Sequence, residues 1–226
     1  MSTLSGWEMN VRSKAYSVGV SLTARKAHIL ACRGGVAEAL ALEARFLPRG
    51  RDIGDPQVTS NVFAVAALVE QAGGNLDAAL RLAQELEEAT RDGPSCYRAD
   101  PLPIVARIGL AAGRPELTER LLDGADTPAA RYRHCLATAR ALLAETRGDL
   151  AMAATGYAEA AARWREFGVV LEQAQALLGL GRCTARLGQA PARPPLLEAR
   201  AIFERLGAGA LLAETDGWLR PGVATP

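Results

Sequence analysis

The 226 residues include 45 Ala and 31 Leu, and lysine supplies only two of the 26 basic side chains, so helix-favouring residues dominate and strand-favouring ones are scarce. A hydrophobic fraction of 49% beside 23% charged residues excludes wholesale disorder. A net charge of +1 excludes the strong field of a duplex-binding module or an acidic tail, so no direct nucleic-acid binding is expected.

At the start, Met1 to Glu8 has no basic stretch leading into an apolar one, so no secretory leader is expected, and residues 1–13 read as a tail. The longest uncharged run, Pro56 to Val69, is 14 residues and opens with polar side chains, too short to cross a bilayer. Cys32, Cys96, Cys135 and Cys183 lie far apart without a CxxC pair, which suits free thiols in a reducing cytoplasm better than a disulfide scaffold or a zinc site. The expectation is a cytoplasmic chain with no membrane contact.

Apolar residues then recur at helical spacing between glycines. Val36, Leu40, Ala44 and Leu47 form the first such face, followed by Leu76, Leu80, Ala83 and Leu86. Tyr132, Leu136, Ala139 and Leu143 come next, then Leu150, Ala153, Tyr157, Ala161 and Trp164. Val170, Ala174, Leu177, Gly181 and Ala185 follow, with Leu196, Ala199, Phe203 and Leu206 last. Asp55-Pro56, Asp100-Pro101 and Thr127-Pro128 each pair a capping side chain with a proline suited to a first helical position. These signals predict helices over 14–32, 36–47, 56–72, 75–91, 101–112, 115–123, 128–147, 149–167, 169–187, 195–206 and 208–219. Residues 91–103, broken by Asp92-Gly93-Pro94-Ser95 and two later prolines, form either a hinge or a tight connection, and 220–226 read as a second tail.

The intervening glycines have a rhythm of their own. Gly34, Gly74, Gly113, Gly148 and Gly188 are separated by 40, 39, 35 and 40 residues, a period that marks repeated supersecondary units. Gly74-Asn75-Leu76 and Gly148-Asp149-Leu150 share a pattern in which glycine ends one helix and Asn or Asp caps the next. The fold expected of residues 14–219 is therefore all-α: an α-α superhelix of about five helix pairs with a C-terminal capping helix, in which stacked pairs share one core.

The string Leu142-Leu143-Ala144-Glu145-Thr146-Arg147-Gly148-Asp149-Leu150-Ala151-Met152-Ala153, with Tyr157 and Ala161 after it, resembles a tetratricopeptide (TPR) repeat, and Leu178-Gly179-Leu180-Gly181 is similar to the next unit. From Arg140 to Trp218 the chain resembles the C-terminal helical repeats of bacterial LuxR-type ATPase transcriptional regulators and of adenylate/guanylate cyclases with an AAA-like ATPase. The stretch from Leu197 to Ala208 carries that likeness. The resemblance implies a TPR-like solenoid that is the regulatory or sensory part of a signalling protein, with a protein or peptide partner such as an effector domain. Thr118 and Arg193 stand where the repeat pattern has alanine, and the 39–40-residue periods exceed the regular 34, which puts a standard peptide groove in doubt.

Chemistry is hard to find. There is no GxxxxGK[ST] phosphate loop, no third glycine after Gly179-Leu180-Gly181, no GxSxG elbow and no HExxH, so no cofactor, no metal and no catalysis are expected. His134 and Cys135 are adjacent and so diverge by about 100° on a helix, a poor pair for catalysis or ligation. Arg131, Arg133, Arg140 and Arg147 on one helix are the candidate partner-binding residues, facing a concave surface and pairing with carboxylates of a peptide. The bland reading is a solvated face balanced by Glu145 and Asp149. Two functions remain: a non-catalytic scaffold binding a protein or peptide, and a small-molecule sensor that modulates an effector.

Overall fold

A computed structural model describes residues 6–188 and 191–220, and for residues 6–15 the backbone alone. All its elements are helices, and no strand occurs among the described residues. They are α1 (Gly6–Cys32), α2 (Val36–Ile53), α3 (Pro56–Ala72), α4 (Leu76–Thr90), α5 (Ser95–Ala99), α6 (Leu102–Ala112), α7 (Pro115–Leu122), α8 (Ala130–Thr146), α9 (Leu150–Phe167), α10 (Val170–Arg186), α11 (Arg193–Leu206) and α12 (Gly209–Leu219). Each packs against its sequence neighbours, so the expected five pairs are α1/α2, α3/α4, α6/α7, α8/α9 and α10/α11, with α12 after them.

Local signals explain most of the boundaries. The five rhythmic glycines all have positive φ, as in Gly74 at 83° and Gly148 at 82°, a conformation that L side chains rarely adopt. Asp149 then caps α9 by accepting from the Met152 N–H, and Asp55 caps α3 by accepting from the Gln57 N–H. Asn75 does otherwise: its amide donates to Glu70 and leaves α4 without a side-chain cap. Thr127-Pro128 lies ahead of α8, whose N-cap is Ala129, and Asp100 ends α5 while holding Arg131.

Three expectations need correction. The tail assigned to 1–13 is helical from Gly6, while residues 1–5 lie outside the described part. Of the second tail only Arg220 is described, and it ends α12 in extended backbone. The candidate hinge at 91–103 holds the one-turn helix α5, whose Ala99 is wholly buried against the core. Finally, α2 runs through Pro48 to Ile53 and buries Ala39, Leu42, Glu43, Phe46 and Gly50, so that of the predicted face Leu40 and Leu47 lie at the edge of the core and Ala44 is exposed. A steric reason is visible at its end: a Cβ at Gly50 would meet Val62 Cγ1 at 2.4 Å, so glycine lets the last turn of α2 close onto α3 with that side inward.

The core runs the length of the chain as one cluster in which small and large side chains alternate. Alanines such as Ala39, Ala79, Ala139, Ala153 and Ala199 are fully covered, and Phe46, Leu86, Tyr157, Trp164 and Phe203 fill the spaces between helices. Close approach is densest around α10. Gly179 accepts the ring of Tyr157 from α9, and Gly181 accepts Leu196 from α11, each with a virtual Cβ within 2.5 Å of the neighbour.

Beyond neighbour packing, first members of successive pairs touch one another: α1 with α3, α3 with α6, α6 with α8, and α8 with α10. The last helix, α12, packs on α11 and also reaches α1. At that seam Arg33 Nε donates to the Leu206 carbonyl at 3.3 Å, and the Arg33 carbonyl lies 3.7 Å from the position a Cβ would take on Gly209. The array thus closes on itself around an interior.

Candidate functional site

That interior contains a cavity of about 520 Å³. Its walls come from α1, α3, α6, α8, α10 and α12, and Tyr157 is the only lining residue from a second member of a pair. Most of the wall is hydrocarbon: Leu68, Ile104, Leu110, Leu142, Leu178 and Leu211 surround the space. Polar groups collect in one corner, where Glu145, Tyr157, Arg182, Arg186 and Glu214 meet. Gln71 and Gln175 add amides, and the buried Gln175 Oε1 has no hydrogen-bond partner.

Glu145 organises the corner. It follows Leu142 by three residues, so helical spacing aims it inward with Thr138 and Leu142, and its side chain is only 1% exposed. Arg182 grips it through two bonds, Nε at 2.6 Å and Nη2 at 2.8 Å, and the Tyr157 hydroxyl donates to it at 2.6 Å. Burial pushes the Glu145 carboxyl up, but the Arg182 bonds, the Arg182 charge and the Tyr157 hydroxyl together hold it below the ordinary glutamate range. The remaining nitrogen of Arg182, Nη1, reaches Glu214 on α12 at 2.8 Å. Arg186 lies 3.7 Å from Glu145, too far for a hydrogen bond, and its side chain is 38% exposed.

A second, smaller cavity of about 180 Å³ uses the opposite ends of the same helices. Gln57, Asn61, Arg131, Cys135 and Glu172 come from the N-terminal portions of α3, α8 and α10, whereas the larger cavity takes residues further along the same helices. Arg107 lines the larger cavity and Glu172 the smaller, and the two join in a bidentate pair of 3.2 and 2.5 Å between α6 and α10. His28, beside this pair, has its pKa lowered by burial, with Glu172 and Arg107 acting on it in opposite senses.

The predicted partner-binding arginines are not brought together in either cavity. Arg131 lines the smaller one, where its Nε bonds Asp100 at 2.8 Å. Arg133, Arg140 and Arg147 lie on the arc of α8 opposite Thr138, Leu142 and Glu145, because seven-residue steps keep them in phase on the outer side. Arg147 pairs with Glu119, and Arg133 and Arg140 are exposed without an ion pair among the described residues. Glu145 does not balance these arginines as the solvated-face reading had it.

His134 packs edge-on against Trp164 and Phe167, each at 5.4 Å between ring centres, and Trp164 is buried with its Nε1 donating to Thr138. Burial pushes the thiols up, to about 11 for Cys32 and about 12 for Cys135 and Cys183, which keeps them protonated at neutral pH. Among the described residues no three His, Cys, Asp or Glu side chains gather as a metal site, and no helix is long and apolar enough to cross a membrane.

The arginine–glutamate corner was missed by sequence reasoning, although one signal was present. Glu145 interrupts an apolar run at a core-facing phase, where a charge requires a partner. The partner, 37 residues further on, has no local mark. No protein-family model and no curated protein matches the chain.

Proposed function

We propose that this chain is a non-catalytic, TPR-like helical-repeat domain that binds a small organic molecule in its central cavity and thereby modulates a partner effector. One observation carries the reading: a cavity of about 520 Å³ whose wall draws on every helix pair and on the cap. That volume lies in the range of sites for small molecules, and an apolar wall with a few convergent polar groups is their usual chemistry. A ligand touching all units at once biases their mutual packing, which is how binding energy becomes a conformational signal. In keeping with the family likeness of the repeat region, the setting we propose is a bacterial transcriptional or cyclase-type regulator, in the cytoplasm, with an ATPase, cyclase or DNA-binding domain as effector.

A second reading, a scaffold for a protein or peptide, draws on the outer arc of α8, where Arg133 and Arg140 are exposed. The contact of α1 with α12 weighs against a long peptide lying inside the array. Thermal unfolding with a metabolite panel separates the two. A ligand at a hundred times its Kd stabilises by about 2.7 kcal/mol, raising Tm by roughly 5–10 °C at this length. Leu142 is buried on the cavity wall and Ala111 stands at its edge, and the pair Ala111→Trp and Leu142→Trp narrows the space and weakens the shift. A flat panel, or a shift undiminished in both variants, refutes the cavity reading.

A further inference from the structure

The polar corner of the large cavity has a composition that selects a ligand class. Two guanidinium groups, Arg182 and Arg186, face two carboxylates, Glu145 and Glu214, and the carboxylates are held very differently. Glu145 is buried and engages Arg182 with both oxygens while also accepting from Tyr157, so it is a fixed part of the wall. Glu214 is 42% exposed and holds a single nitrogen of Arg182 through one oxygen. It sits on the terminal helix α12, of which Thr215 is the only fully buried residue.

We infer that the cavity takes an amphiphilic organic anion, an apolar body with one carboxylate head, and that Glu214 occupies the head's position until the ligand displaces it. The inference rests on the cavity reading and goes further by naming the ligand's chemistry. A carboxylate head exchanges one anion for another on Arg182 Nη1, so the corner's charge balance is conserved and no guanidinium is left bare. The same head gains Arg186, whose nearest carboxylate oxygen among the described residues, at 3.7 Å, lies beyond hydrogen-bond distance. A neutral head leaves Glu214 in place and gains no ion pair, and a cationic head pairs with Glu214 only by drawing it from Arg182 while lying beside Arg186. Meanwhile the body lies against Leu68, Leu110, Leu142 and Leu211, the apolar remainder of the wall.

Displacement has a structural consequence. Leu211 and Ala210 of α12 line the cavity beside Glu214, and α12 reaches α1 at the seam. Releasing Glu214 therefore removes the tie between α12 and α10 while the ligand body takes up the α12 apolar face. The cap is the element that reports occupancy.

Calorimetric titration of the full chain with decanoate and with decanol tests the inference, since the probes share a body and differ in the head. Decanoate binds about tenfold or more tightly than decanol, the difference expected of a charge-assisted pair. Arg186→Gln removes that preference and leaves decanol unchanged. Glu214→Gln tightens decanoate severalfold because the internal competitor is neutralised. Both side chains are partly exposed, and unchanged helical circular dichroism verifies the fold of each variant. Equal binding of the two probes overturns the anion assignment and leaves the cavity reading standing. Glu214→Gln that binds decanoate no better overturns the displacement. Absence of heat from both probes overturns the inference as a whole, while the metabolite panel judges the cavity independently.

Discussion

Replacing Gly179 with alanine sets two opposed terms against each other. In the interior of a helix alanine is favoured over glycine by about 1 kcal/mol, so propensity alone predicts stabilisation. The packing at α10 predicts the reverse. An added Cβ lies 2.5 Å from Tyr157 Cζ and 2.7 Å from its Cε1 and Cε2, and this ring is 1% exposed. Tyr157 has no free direction of retreat, because its hydroxyl is bonded to the buried Glu145. Overpacking of this kind costs about 1–3 kcal/mol, and loosening a hydrogen bond to a buried charge adds about 1–2 kcal/mol. Set against the propensity gain, the net loss is about 1–4 kcal/mol, a fall in Tm of roughly 2–16 °C. Gly19 supplies the control: it is exposed on α1 with nothing within 4 Å of an added Cβ. Gly19→Ala gains about 0.5–1 kcal/mol and raises Tm by roughly 2–3 °C. Thermal and urea unfolding of the two variants beside the parent measure both signs. A Gly179→Ala midpoint at or above that of the parent refutes the close approach of α9 to α10.

Two carboxylates give pH-dependent tests of opposite sign. Glu145→Ala leaves Arg182 Nε and Nη2 and the Tyr157 hydroxyl without their acceptor, with Glu214 still paired to Arg182 Nη1, and costs about 2–4 kcal/mol at neutral pH. Since the Glu145 carboxyl is held below its ordinary range, its contribution is present above that range and lost as pH falls through the lower folded value. The gap between parent and variant urea midpoints therefore narrows in acid, and a gap constant down to pH 3 contradicts the assignment. Glu43 behaves conversely: it is buried beside Glu70, and burial raises its carboxyl from 4.5 to about 7, with Glu70 adding and Arg51 opposing. Stability is then full below the unfolded value and falls as pH rises between 4.5 and about 7, by at most roughly 3 kcal/mol. Glu43→Gln gains stability at pH 8 and gains little at pH 4, and an equal effect at both denies the burial penalty.

What could be read from the residues was whatever depends on neighbours in the chain. The stripe from Ala153 through Tyr157 to Trp164 repeats at helical spacing, and all three residues are buried as that spacing predicts. Gly148 and Asp149 mark a helix end and a helix start because both effects act within one turn. The face of α2 is offset from the one its spacing predicts, and Gly50 against Val62, a contact with another helix, has no counterpart in local spacing. Arg140 and Arg147 looked eligible as site residues because in-phase spacing shows that they share a side and does not say which way it faces. The corner of Glu145, Arg182 and Glu214 joins three helices, and complementary charge at long separation has no period to reveal it. The interior exists only because the last helix returns to the first, a global outcome of many small inter-helix angles.

That return has a bearing on how the chain can vary. In an open stack of helix pairs each unit contacts only its neighbours, so pairs can be duplicated or deleted and the ends simply move apart. Here Arg33 must find the Leu206 carbonyl across 173 positions of sequence, and the tilts of all intervening pairs add up at that one place. One pair more or fewer carries α12 past α1 and opens the wall around the cavity.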